Sequence, residues 1–141
     1  MKKRLILSII SVVLLLVVLC ACAKPETEDN LWQNAIYTDD TAFGNGEKEV
    51  TVTVKVNENS VKFTIKTDSE FLGDALTEHK LIEGEEGAYG LYIKKVNGIT
   101  ADYDTDKSYW SLTKDGEYMT TGADGAEIKD GEKYEITYVK E

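Results

Sequence analysis

Residues 49–66, Glu49-Val50-Thr51-Val52-Thr53-Val54-Lys55-Val56-Asn57-Glu58-Asn59-Ser60-Val61-Lys62-Phe63-Thr64-Ile65-Lys66, alternate apolar and polar side chains with a period of two. Val50, Val52, Val54 and Val56 fall on one face, with Thr51, Thr53 and Lys55 on the other. After Asn57-Glu58-Asn59-Ser60 the pattern resumes, with Val61, Phe63 and Ile65 set against Lys62, Thr64 and Lys66. Successive side chains of a strand point to opposite faces, so each run reads as a half-buried strand. The short polar link makes the pair a hairpin with one covered face and one wet face.

Beyond the hairpin the period changes. Phe71, Leu72, Ala75 and Leu76 have the spacing of an amphipathic helix, which predicts a helix over 70–80. Thr67-Asp68-Ser69-Glu70 offers a capping box, with Asp68 and Ser69 as alternative caps. Leu81 and Ile82 then pack, and 83–88 reads as rich in turns. Strands follow over 89–96, closed by Asn97-Gly98, and over 109–113 and 117–120, flanking the hairpin signal Lys114-Asp115-Gly116. Asp130-Gly131 introduces a last strand over 133–139. A hairpin, a helix and further strands make an α+β domain, a mixed β-sheet with one helix packed on a face, and a β-grasp-like arrangement fits this order.

The first residues read differently. Lys2-Lys3-Arg4 precede an apolar run over 5–19, and Leu19-Cys20-Ala21-Cys22 closes it. A basic segment and a greasy core make a secretory signal. The four closing residues resemble the lipobox of bacterial lipoproteins, which implies cleavage before Cys22 and acylation of its thiol. This run of fifteen residues, thirteen of them apolar, falls short of the roughly 20 that span a bilayer. Cleavage by an ordinary signal peptidase, with release, is the other reading of this segment. The expected organisation is a signal peptide over 1–21, a lipidated N-terminus, spacer and packing segment over 22–46, and a domain over 47–141. The protein is then expected at the cell membrane, lipid-anchored and facing the extracytoplasmic side.

The chain carries a formal net charge of −10, and loss of Lys2, Lys3 and Arg4 takes it to −13. Such acidity argues against nucleic acid as a partner. Cys20 and Cys22 are the cysteines of the chain and both lie at the signal boundary, so a disulfide, a thiolate metal site and a cysteine nucleophile are not expected. His79 is the single histidine, which makes zinc improbable, and its place near the predicted helix end suits a favourable interaction with the helix dipole. No nucleophile-base arrangement, Gly-x-Ser-x-Gly or phosphate-cradling loop occurs, so the chain is not expected to be an enzyme.

An ordered set of short matches carries a family resemblance: Leu31-Trp32, Ala35 and Tyr37, Phe43-Gly44, Leu72-Gly73-Asp74-Ala75-Leu76, Tyr89-Gly90-Leu91-Tyr92, Val96-Asn97-Gly98-Ile99, Tyr109-Trp110, Gly122-Ala123-Asp124 and Lys129-Asp130-Gly131. Together they resemble the DUF4430 family, also called the transcobalamin-like C-terminal domain. The resemblance covers 31–140. It implies a β-grasp-like fold of the soluble-ligand-binding type, occurring alone in lipoproteins of Gram-positive bacteria and as the smaller domain of animal cobalamin carriers. The segment that approaches cobalamin in those carriers matches Tyr109-Trp110-Ser111-Leu112, Tyr118-Met119-Thr120 and Gly122 here. Two departures stand out: the carriers' large helical domain has no counterpart in this chain, and Ser111 occupies a place where the carriers have Gln.

The expected ligand-binding residues are therefore Tyr92, Tyr109, Trp110, Leu112, Tyr118, Met119 and Thr120, with Tyr103 as a possible extension. A flat aromatic with a donor at its edge can stack on a planar ligand and fix it with one hydrogen bond. The competing reading packs Trp110 into the core. Adjacent strand residues face opposite ways, so Tyr109 and Trp110 cannot both be core residues. No resident cofactor is expected; the ligand implied is a corrinoid. An alternative function is an interaction module that docks to a surface or transporter protein, or to the cell envelope, through strand edges and tyrosines. A third is a hard-cation, calcium-type site at Asp102, Asp104 and Asp106, where oxygen ligands alternate but the Gly and Glu of an EF-hand loop are replaced by Lys107 and Thr113.

Overall fold

The computed structural model describes residues 28–141. The signal segment and Cys22 lie outside the described residues. Among the described residues no helix is long and apolar enough to cross a membrane.

The alternating segment forms β2 (Lys48–Val56) and β3 (Asn59–Thr67), paired antiparallel from Lys48↔Thr67 to Val56↔Asn59. The strands run two residues further than the sequence suggests, because Asn57 takes φ 52° and lets Asn57-Glu58 alone make the turn. Val50, Val52, Val54, Val56, Val61, Phe63 and Ile65 are all buried on one face. Short β1 (Thr41–Gly44) lies parallel to β3, and β9 (Lys133–Lys140) lies parallel to β2 on its other side. β7 (Ser108–Lys114) pairs antiparallel with β9, and β8 (Glu117–Tyr118) closes a two-residue Asp115-Gly116 hairpin on β7. The sheet order is β1-β3-β2-β9-β7-β8, so the last strand in sequence fills the centre.

Between β3 and β7 the chain builds the covering layer. Helix α1 (Leu72–Glu78) buries Leu72, Ala75 and Leu76 in the same core as Ile136, Tyr134 and Trp110. It is shorter than the predicted 70–80, and no capping box forms. Phe71 stands at the N-cap without a side-chain cap bond. Asp68 instead accepts from Glu47 N at 2.8 Å, and Leu72 N donates to Ala126 O at 2.9 Å, so a neighbouring segment sets where the helix begins. His79 is its C-cap, stacked on Phe43 with ring centroids 5.0 Å apart.

The architecture is α+β, but it holds two sheets rather than one. β4 (Ile82–Gly87), β5 (Gly90–Val96) and β6 (Ile99–Thr100) form the second, in the order β4-β5-β6. The stretch read as turns, 83–88, is thus largely strand. Its residues beyond Ile82 are exposed, and Glu83 and Glu85 meet Lys95 and Lys94 across the ladder at 3.3 and 3.5 Å. Pairing with β5 rather than burial holds it, so it carries no apolar period.

Asn97 does more than turn the chain between β5 and β6. It is fully buried, its Oδ1 accepts from Tyr37 N at 2.9 Å, and its Nδ2 donates to Tyr37 O at 2.8 Å. Ile36 N also donates to Asn97 O at 3.0 Å. One amide thereby replaces a strand partner and fastens the N-terminal arm, which places Tyr37 edge-on to Phe43 and Phe63.

A half-buried polar cluster ties β7 to the start of β9. Glu132, whose side chain is 14% exposed, accepts from Lys114 Nζ and Tyr134 Oη, each at 2.5 Å, and from Lys129 N at 3.0 Å. Burial alone would raise its pKa, but these donors outweigh burial and hold it below the ordinary 4.5. Burial, and then the bond to the Glu132 carboxylate, push the Tyr134 phenol up.

Two outcomes follow. Asn97→Ala should cost about 2–3 kcal/mol, because Tyr37 loses two partners and a buried site is emptied; urea titration measures the loss, and the amides of 35–37 should exchange faster. Glu132 has a depressed folded-state pKa, so its contribution is complete above about pH 4.5 and is lost as pH falls through the folded value. Melting temperatures from pH 6 to pH 3 should fall more steeply for the natural chain than for Glu132→Gln.

Candidate functional site

The site grows from the one long side of β7 that β8 leaves without a partner strand. β8 pairs only with Thr113 and Lys114, so Ser108–Ser111 has a strand neighbour on the β9 side alone. β5 approaches from the second sheet without joining the ladder. Between β5, β7 and the segment 118–123 lies a groove of about 420 Å³. Tyr92, Tyr109, Trp110, Leu112, Tyr118, Met119 and Thr120, the seven residues expected from the sequence, all line it.

Trp110 packs in the core and also borders the groove. It pairs with Tyr138 across β7 and β9, its indole edge-on to that ring at 5.5 Å and 78°, and it is only 7% exposed. It also forms part of the groove wall. Its indole Nε1 is buried without a hydrogen-bond partner, alone in this among side-chain polar atoms of the described residues. An orphaned buried donor costs about 1–3 kcal/mol, so it calls for an explanation. Tyr109 faces the other way and is half-buried, as strand alternation requires. Tyr89 and Tyr118 stand at the rim, 87% and 79% exposed.

The groove wall rests on a close backbone approach that the sequence hinted at only through its glycines. Asp124 Oδ1 accepts from Leu91 N at 2.7 Å, and Gly122 N donates to Tyr89 O at 3.1 Å. Gly90 has φ +104°, and a Cβ there would lie 2.5 Å from Asp124 Oδ1; one on Gly122 would lie 2.8 Å from Leu91 N. Neither position has room for a side chain. Leu91, Gly122 and Asp124 therefore shape the groove, and Leu91 and Asp124 were absent from the expected site.

A second hollow, of about 430 Å³, adjoins the groove through Tyr92 and Tyr109 and is completed by Lys94, Asp102, Tyr103 and Asp104. Helix α2 (Tyr103–Asp106) forms one wall. Asp102 caps it, accepting from Asp104 N and Thr105 Oγ1, each at 3.1 Å. The Thr105 hydroxyl bond, helped by the Asp104 N–H, keeps Asp102 below the ordinary carboxylate range against a smaller opposing effect of burial. Asp106 accepts from Ser108 N at 3.1 Å and from the Ser108 hydroxyl. Asp102 and Asp106 are thus spent on the local turn. Among the described residues, no three His, Cys, Asp or Glu side chains gather where they could hold a metal ion.

Comparison with known proteins gives the same neighbourhood from several directions. The family model described as "Domain of unknown function (DUF4430)" matches residues 69–140. Transcobalamin-1 of Homo sapiens is 29% identical over 87 residues, which cover 62% of this chain and 19% of that protein. The chain therefore spans about a fifth of that relative's length. A candidate metal binding protein from Ruminococcus gnavus ATCC 29149, solved as a crystal structure, superposes with a TM-score of 0.64 and 38% identity, covering 67% of this chain and 99% of that one. Haptocorrin in complex with Cbi gives a TM-score of 0.50 and 27% identity over 70% of this chain and 26% of that one.

If Asp124 sets the groove wall, Asp124→Ala should cost about 1–3 kcal/mol and expose the Leu91 amide. Amide exchange by NMR should show Leu91 losing protection while Val52 and Ile136 keep theirs. Unchanged protection at Leu91 would contradict the assignment.

Proposed function

Because the chain belongs to the DUF4430 family, we propose that it is a binding module, not a catalyst, whose groove beside Trp110 takes a soluble small molecule of the corrinoid type. We read its central order β3-β2-β9-β7, with the first and last strands of that set parallel and α1 over one face, as a β-grasp. The observation that carries the functional reading is the Trp110 indole. It is buried in a groove wall, edge-on to Tyr138, and holds a donor with nothing to donate to. A ligand with a planar or apolar body and an amide or carbonyl acceptor at its margin would satisfy it once the ring turns its buried edge into the groove, and a corrinoid has both. The described similarity to transcobalamin-1 and to haptocorrin bound to Cbi supports the same class. Acylation at Cys22 would hold the module at the outer side of a cell membrane, where such a ligand is met before uptake.

A second reading draws on the rim. Tyr89 and Tyr118 are largely exposed at the mouth of the groove, as amphipathic rings are at protein interfaces. A transporter or surface protein contacting them would receive the loaded module.

Calorimetry on the chain from Ala23 onward, with cobinamide and cobalamin, tests the main reading. Saturable one-to-one binding is expected. Trp110→Phe keeps an aromatic ring but removes the donor, and should weaken binding about tenfold, the worth of one buried hydrogen bond. No heat and no change in Trp emission at about 100 μM ligand would end the corrinoid assignment.

A further inference from the structure

The hollow next to the groove is walled by Tyr92, Tyr103 and Tyr109, with Asp102, Asp104 and Lys94 at its margin. Tyr92 and Tyr103 are 40% and 39% exposed there, ring surface that core packing does not use. Tyr103 and Tyr109 are inclined at 59° with centroids 6.4 Å apart, so their faces border one space rather than stacking it shut. An aromatic face carries the negative end of a quadrupole and attracts cations. The Tyr103 face already holds one, the Lys107 ammonium at 4.6 Å from the centroid. The Tyr103 hydroxyl donates to Glu141 Oε2 at 2.9 Å, and a phenol bonded to a carboxylate has a more electron-rich ring.

The charges around the hollow point the same way. Asp102, Asp104 and Lys94 border the hollow, and the nearby lysines are already engaged, Lys94 with Glu85 at 3.5 Å and Lys107 with the Tyr103 ring. The whole chain is −10. An anion would meet this field unfavourably, and a purely apolar group would cover the exposed Asp104 carboxylate with no counter-charge.

We propose that this hollow is a site for an organic cation, an alkylammonium or guanidinium group set against the faces of Tyr103 and Tyr109 with the exposed Asp104 carboxylate as its counter-charge. The site needs no ligand in the neighbouring groove and goes beyond the corrinoid reading.

Titrating the full chain in detergent micelles with tetramethylammonium chloride, against sodium chloride at equal ionic strength, tests it by NMR of the Tyr103 ring and the Asp104 amide. Saturable shifts with a dissociation constant on the order of millimolar are expected for the organic cation only. Tyr103→Leu should weaken binding at least about tenfold, while Tyr103→Phe, which keeps the face and loses the Glu141 bond, should weaken it about twofold to threefold. Asp104→Asn, an exposed change, should weaken it about threefold and serves if Tyr103→Leu does not fold. The acetylated and amidated tripeptide Gly-Lys-Gly distinguishes the source: tighter binding than tetramethylammonium assigns a peptide side chain, weaker binding a small quaternary ammonium ion. Shifts that rise linearly and match sodium chloride, or a dissociation constant unmoved by all three variants, would overturn the proposal. Cobinamide titrated into the same natural and Tyr103→Leu samples reports on the groove separately, since Tyr103 does not line it.

Discussion

The fold depends on where its last strand goes. β9 enters between β2 and β7, parallel to the first and antiparallel to the second, so it alone joins the β1-β3-β2 strands and the β7–β8 hairpin into one sheet. Its inward side chains Tyr134, Ile136 and Tyr138 complete the apolar row begun by Val52 and Val54. With the centre taken, the sheet ends on β1 and β8, strands of four and two residues. Such short edges offer little template for unwanted pairing. Everything between β3 and β7 must then cross over the core face, which is why a helix and a small second sheet lie there.

The groove is a by-product of that crossover. β8 is too short to cover β7, and β5 comes alongside without pairing, which leaves a gap floored by Trp110 and Leu112. The gap stays open because its far wall is tied: the Leu91 amide is bonded to Asp124, Gly122 lets its backbone approach that of Leu91, and Gly90 leaves space for the Asp124 carboxylate. Trp110 sits where two demands meet. Its ring completes the core against Tyr138, and its donor is left facing no partner. A stable site can tolerate that cost when binding recovers it.

Period-two and helical patterns made β2, β3, α1 and β9 readable from the sequence, because burial on one face dictates those patterns. Features held by pairing or by single polar side chains were not. β4 carries glutamates held by cross-strand lysines, so it resembled a loop. Thr41–Gly44 is too short to show a period, and its place beside β3 left no mark in the sequence. The capping box over 67–70 was plausible locally and lost to a contact from Ala126. In the site, the contiguous residues 109–120 and the aromatic Tyr92 were legible as a group. Asp124 bonds 33 residues back in the chain and Asn97 bonds 60 residues back, to Tyr37. Asn97 read as an ordinary turn residue and Asp124 only as part of a short family match, since nothing in the local sequence marks a distant main-chain partner.

The central claim is that the unpartnered indole donor of Trp110 is kept for a ligand in the groove. The ¹H–¹⁵N resonance of its Nε1–H reports on that atom directly. Adding cobinamide should move the signal downfield and slow its exchange with water, as a new hydrogen bond requires. An indole resonance that stays put while cobinamide is present in excess would contradict the account.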